Sequence, residues 1–205
     1  MAVGHGDGEM YLGSDAIALA PLTDRITYLE EGDCAVLTRH TVDIFDETGT
    51  PVTRESRKIN TEAARVDKAG YKHFMAKEIA EQPTVLADAL RAYLDGNTIV
   101  FPSDIPDFTK VERLTMVACG TAFYACLAAK YWFEQLARLP VEVDIASEFR
   151  YREPPVTPGT VALFVSQSGE TADTLAALRY CKGKTDSILS VVNVAESSIA
   201  RESDV

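Results

Sequence analysis

The sequence holds no uninterrupted run of roughly 18 apolar residues, so no stretch of it reads as a membrane-spanning helix. Its first residues, Met1-Ala2-Val3-Gly4-His5-Gly6-Asp7, lack both the basic and the apolar segments of a secretory signal. Basic residues are few. Lys and Arg total 20 against 31 Asp and Glu, a formal charge of −11, and they gather only in short pieces such as Arg54 to Lys58. A polyanion such as nucleic acid is therefore excluded as a partner. The cysteines Cys34, Cys119, Cys126 and Cys181 show no C-x-x-C pairing, and His5, His40 and His73 stand far apart without an H-E-x-x-H pattern. Neither a zinc site nor a disulfide framework is supported, so no metal and no cofactor is expected, the histidines are read as structural, and the thiols as reduced and mostly buried. With no membrane span or export signal, the expected location is the cytoplasm.

What is present is a chain of 205 residues, 46% apolar, sufficient for one good core or two small domains. Residues 1–65 read as hairpins with one helix. The Gly6-Asp7-Gly8 turn comes early, a short helix runs from Ser14 to Ala20 with Ser14 as N-cap and Pro21 closing it, and a strand follows from Arg25 to Glu30. The alternation from Cys34 to Phe45 predicts one longer strand, returned at Glu47-Thr48-Gly49-Thr50. Residues 66–104 read as a helical linker of two helices, the first over Tyr71 to Ile79 and the second over Thr84 to Leu94, with Pro83 in its first turn and Gly96 as its C-cap. The crossing between domains is expected near residues 62–70, where Glu62, Arg65, Asp67, Lys68 and Gly70 are polar.

Beyond Pro106 strands and helices alternate, which predicts a parallel sheet with helices on its faces. Four strands are expected: Leu114 to Cys119, Val141 to Ala146, Thr160 to Val165 and Ser187 to Val192. A helix from about Ala122 to Leu139 carries Ala125, Ala129, Trp132, Leu136 and Leu139 along an apolar stripe.

The most informative stretch is Ser166-Gln167-Ser168-Gly169-Glu170-Thr171, which leaves an apolar strand and opens the helix from Glu170 to Lys182. The first N–H groups of a helix lack intrahelical partners and carry partial positive charge, and small hydroxyls add bonds to an anion without excluding it. Gly169 would let backbone approach a ligand. Such a junction also serves as an ordinary helix cap through Ser168 or Thr171. A second junction of the same design, Cys119-Gly120-Thr121-Ala122, follows the first strand, and two such junctions in one parallel sheet fit ligand binding at the carboxyl edge.

These segments, with Tyr131-Trp132-Phe133-Glu134 and Ile145 to Arg152, resemble the sugar isomerase (SIS) domain of the glutamine:fructose-6-phosphate amidotransferase (glucosamine-6-phosphate synthase) family. Upstream, Gly13-Ser14-Asp15-Ala16, Leu29 to Asp33 and Tyr71 to Pro83 resemble the end of the same family's glutaminase domain and its linker. The resemblance implies an α/β fold: an incomplete SIS-type parallel sheet over 105–205, preceded over 1–65 by an antiparallel β remnant of an Ntn-hydrolase-like glutaminase domain. It implies that Ser166, Gln167, Ser168 and Thr171 hold the phosphate of fructose 6-phosphate or glucosamine 6-phosphate, joined by Thr121. Gly120, Gly169 and Ala122 are weaker members, since the family's pattern has Ser where this chain has Ala122. It also implies a homodimeric parent, and an internal fragment that holds no catalytic residue: the N-terminal cysteine nucleophile, the Schiff-base lysine, the carboxylate base and the ring-opening histidine all match no position here. Cys34, inside an expected strand, is read as a buried and unreactive thiol. The isolated chain is expected to be inactive, with a stand-alone SIS module sensing a sugar phosphate as the alternative.

Overall fold

The computed structural model describes residues 1–14, 16–59, 68–101, 105–195 and 197–205. It divides into two compact units, Met1–Ala92 and Tyr93–Val205. Glu62, Arg65 and Asp67 of the expected crossing lie outside the described residues.

In the first unit the chain forms β1 (Ala2–His5), β2 (Met10–Gly13), α1 (Ala16–Leu19), β3 (Arg25–Tyr28), β4 (Cys34–Leu37), β5 (Val42–Phe45), β6 (Pro51–Val52) and β7 (Ser56–Lys58). One antiparallel sheet has the order β2-β1-β3-β7 and a second the order β4-β5-β6. Ala2, Ala16, Leu19 and Ile26 pack into the core of the first. The Gly6 N–H donates to the Glu9 carbonyl at 2.9 Å, closing the β1–β2 turn as its glycines foretold.

The expected single strand from Cys34 to Phe45 is two strands. The Thr38 hydroxyl accepts from the N–H groups of His40 (3.2 Å) and Thr41 (3.0 Å), so a side chain closes a turn within an otherwise alternating sequence. Cys34, at the start of β4, is exposed, which corrects its reading as a buried thiol. The two sheet segments are tied by Arg54, whose guanidinium donates to both oxygens of Asp33 at 2.8 and 2.9 Å and pairs with Glu30 at 2.9 Å. The Asp33 side chain is only 1% exposed, and the Arg54 hydrogen bonds hold its carboxyl below the usual carboxylate range.

Where two helices were expected, one helix, α2, runs over Phe74–Tyr93 with Pro83 inside it. Ala, Glu and Leu around the proline sustain the helix across the hydrogen bond it cannot donate. Gly96, expected as a C-cap, instead turns a short hairpin between β8 (Leu94–Asp95) and β9 (Thr98–Ile99) with φ +59°.

The second unit continues with β10 (Arg113–Ala118), α3 (Gly120–Trp132), β11 (Val141–Ile145), α4 (Ala146–Arg152), β12 (Thr160–Ser166), α5 (Ala172–Cys181), β13 (Ser187–Val192) and α6 (Ser198–Glu202). The four long strands form a parallel sheet in the order β11-β10-β12-β13, each within about a residue of its expected span. Alternation along the strands feeds two cores. Leu114, Met116, Ala118, Val161 and Leu189 face Cys126 of α3 and Leu139, whereas Val117, Ala162, Phe164 and Ile188 face α4, α5 and α6 through Phe149, Leu178 and Ile199. This is a three-layer α/β arrangement with α3 on one face and α4, α5 and α6 on the other.

The stripe expected on α3 holds at Ala129 and Leu139 but not at Ala125, Trp132 or Leu136. Trp132 is 65% and Leu136 82% exposed, while Ala122, Cys126, Ala129 and Phe133 pack on the sheet. Small residues let the helix lie close over bulky strand side chains. After Trp132 the helix winds into a π turn, Phe133–Ala137, which shifts the angular phase within it and carries Leu136 off the core.

Candidate functional site

Strand order fixes where the two junctions meet. From β10 the chain passes through α3 on one face to β11, then returns across β10 to β12, whose following helix α5 lies on the opposite face. The sheet therefore changes winding direction between β10 and β12. In open parallel sheets the crevice at the carboxyl ends of such a strand pair is where ligands settle.

Ala118 is in register with Val165, so Cys119-Gly120-Thr121-Ala122 and Ser166 to Thr171 leave neighbouring strands at the same level. The Thr174 hydroxyl contacts the Cys119 thiol at 3.9 Å, joining the first turn of α5 to the base of α3. Thr121 and Gln167 are exposed, Ser168, Thr171 and Ala122 half-buried, and Ser166 and Gly169 buried. All the anticipated binding residues thus lie at two adjacent strand-to-helix junctions, Gly120, Thr121 and Ala122 in the first turn of α3 and the others from the last residue of β12 to the N-cap of α5.

The hydroxyls shape the loop. Ser166 Oγ accepts from the Gly169 N–H at 3.1 Å and lies 3.3 Å from the Thr171 hydroxyl, and Ser168 Oγ accepts from the Glu170 N–H at 3.2 Å. Thr171 occupies the N-cap of α5, yet its side chain makes no cap hydrogen bond. The opening N–H groups of α5 thus have neither an intrahelical partner nor this hydroxyl. A loop built as a plain cap would spend Thr171 there.

Gly169 has a reason for being glycine beyond the one anticipated. Its φ is +64°, and a Cβ there would stand 1.9 Å from Ser197 Oγ and 2.4 Å from Ser197 Cβ. The close approach is to the protein's own residue 197. Sequence reasoning missed this brace, which Asn193, Ser198 and Ile199 complete: Asn193 N–H donates to the Gln167 carbonyl at 3.3 Å, Ile199 N–H to the Gly169 carbonyl at 3.0 Å, and Ser198 N–H to a Glu170 carboxylate oxygen at 2.7 Å. Only the Ser197-Ser198 pair, which opens α6, signalled it in the sequence.

Burial pushes the thiols of Cys126 and Cys181 up to about 11, which leaves them unreactive at neutral pH. Two clefts in this unit lie elsewhere, at the amino ends of the strands. One is lined by Arg113, Thr115, Thr160 and Thr185 and the other by Arg113, Glu142 and Lys130, and neither includes a junction residue. Among the described residues no group of His, Cys, Asp and Glu is placed to hold a metal ion. No described helix is long and apolar enough to cross a membrane.

Residues 107–205, which hold this parallel α/β sheet and both junctions, match the SIS domain family. A solved structure of the C-terminal domain of glucosamine-fructose-6-phosphate aminotransferase from Francisella tularensis superposes with a TM-score of 0.64 at 44% identity, covering 68% of this chain and 40% of that one. Over its full length the chain is 60% identical to glutamine–fructose-6-phosphate aminotransferases (isomerizing) of Bradyrhizobium diazoefficiens and Brucella abortus, and in each case it spans 34% of the relative. The chain belongs to the glutamine–fructose-6-phosphate aminotransferase family and corresponds to about a third of the length of these relatives.

Proposed function

We propose that this chain supplies part of the sugar-phosphate site of an isomerizing aminotransferase, the enzyme that makes glucosamine 6-phosphate and glutamate from fructose 6-phosphate and glutamine. The observation that carries the reading is the pairing of two glycine- and hydroxyl-bearing junctions at the switch point between β10 and β12. The relatives' names include fructose 6-phosphate. In this reading the backbone N–H groups opening α5 and the hydroxyls of Ser166, Ser168 and Thr171 receive the phosphate. Gln167 and Thr121 contact it from the rim, with lesser contributions from Gly120, Gly169 and Ala122. No catalytic residue is assigned in this chain, so its contribution is binding and orientation rather than chemistry.

The finer assignments have the same standing. Residues 1–65 are proposed as the end of an Ntn-hydrolase-like glutaminase domain, 66–104 as the linker and 105–205 as part of a SIS domain, on the strength of identity that runs through the whole chain. That same whole-length identity disfavours a stand-alone sensing module. A homodimeric parent and a cytoplasmic location complete the proposal, the latter supported by four free cysteines.

Calorimetric titration with fructose 6-phosphate tests the reading. Saturable binding is expected, lost or weakened at least tenfold in S166A/S168A, since each hydroxyl to a charged phosphate is worth about 1.5–3 kcal/mol. Equal binding by a folded double variant would contradict it.

A further inference from the structure

The site proposed above has an electrostatic difficulty. Its loop and helix start carry Glu170 and Asp173, the sequence from Glu153 to Leu178 contains no Lys or Arg, and that from Leu114 to Ala129 contains no charged residue at all. A phosphate seated at the start of α5 would meet two carboxylates and no cation contributed by its own loops. The fold deals with each acid separately. The Glu170 carboxylate is turned back to accept the Ser198 N–H at 2.7 Å. Asp173, in the first turn of α5, accepts from Arg150 Nη1 at 2.8 Å. Arg150 comes from α4, the helix that starts directly where β11 ends, and is anchored through its neighbour Phe149, whose ring meets that of Tyr180 edge-on at 5.9 Å. The other arginine of α4, Arg152, is paired with Asp144 and has no such role.

We propose that Arg150 is the positioning residue that makes this junction receptive to an anion: by pairing with Asp173 it offsets the carboxylate that the first turn of α5 carries beside the phosphate loop. The inference rests on the sugar-phosphate reading of the same loop. A unit charge about one to two helical turns from a phosphate, in a solvated surface crevice, changes its affinity by roughly threefold to fivefold. The effect must shrink as salt screens it.

The test is calorimetric titration of fructose 6-phosphate into the full chain and four variants, at low and at physiological ionic strength, with circular dichroism confirming the fold of each. R150M is expected to weaken binding roughly threefold to fivefold at low salt and less at higher salt. R150K, which keeps the charge, should bind within about twofold of wild type, and D173N as tightly as wild type or more so. The deciding variant is R150M/D173N, expected to return to within about twofold of wild type because the acid that Arg150 shields is gone. Equal binding by R150M overturns the inference. So does a deficit that persists in R150M/D173N, which would make Arg150 a packing residue between α4 and α5. Failure of the wild-type chain to bind is a separate result: it overturns the sugar-phosphate reading itself, and the role of Arg150 falls with it.

Discussion

Gly169 bears two constraints that act together. Its φ of +64° penalises any side chain, and the space a Cβ would need is occupied by Ser197. Gly169→Ala is therefore expected to destabilise the second unit by on the order of 2–4 kcal/mol, read as a lowered denaturation midpoint. Ser197 is itself buried and accepts from the Ala200 N–H at 3.4 Å, so the neighbour cannot simply swing aside. A variant as stable as wild type would show that the loop is not braced by Asn193, Ser198 and Ile199. At this scale the sequence was legible where chemistry is written in side chains. Ser166, Gln167, Ser168, Thr171 and Thr121 could be singled out because hydroxyls beside glycine recur at two strand ends, a pattern that one helix cap alone would not repeat. Ser197 could not, because its role depends on a contact with a residue 28 positions away that no local pattern encodes.

Elements were read best where one periodicity ran without interruption. The parallel strands β10, β12 and β13 are continuous apolar runs bounded by polar loops, and their spans match the expectation closely. The failures each come from a residue with two plausible uses. Thr38 and Thr41 have strong β propensity, yet their hydroxyls close a turn. Gly96 suits a C-cap as well as a hairpin, and Pro83 suits a first turn as well as a tolerated interior position. The proline gives a direct check. In a helix interior it forfeits a hydrogen bond, so Pro83→Ala is expected to raise ellipticity at 222 nm and to stabilise α2 by up to about 3 kcal/mol. In a first turn the same change would be neutral or slightly unfavourable, and that outcome would restore the two-helix reading.

Across the molecule, the two units differ in what holds them. The second is a parallel sheet with apolar cores on both faces, whereas the first is a pair of small antiparallel sheets whose best-defined polar tie is Arg54 on Asp33. Because the Arg54 hydrogen bonds depress the Asp33 carboxyl below its ordinary 3.8, the ionised acid favours the folded state. That contribution is fully present above the ordinary value and is lost as pH falls through the lower folded one. Arg54→Met should therefore lower the thermal midpoint of the first unit at neutral pH, with the difference from wild type narrowing as pH drops below 3.8. A gap that stays constant into strong acid would assign the loss to packing of the arginine stem instead. The parallel α/β class of the second unit followed from the order of strands and helices, but the strand order β11-β10-β12-β13, which makes the two junctions neighbours, was not written in any one segment. It arises from which faces of which strands must be covered.

The measurement that addresses the central claim most directly is titration of the isotopically labelled chain with fructose 6-phosphate, followed by the amide resonances of individual residues. The account predicts saturable shifts at Gly120, Thr121 and Gln167 through Asp173, with the resonances of β4, β5 and β6 unmoved. Shifts confined to the clefts at the amino ends of the strands, around Arg113 and Thr160, would contradict it.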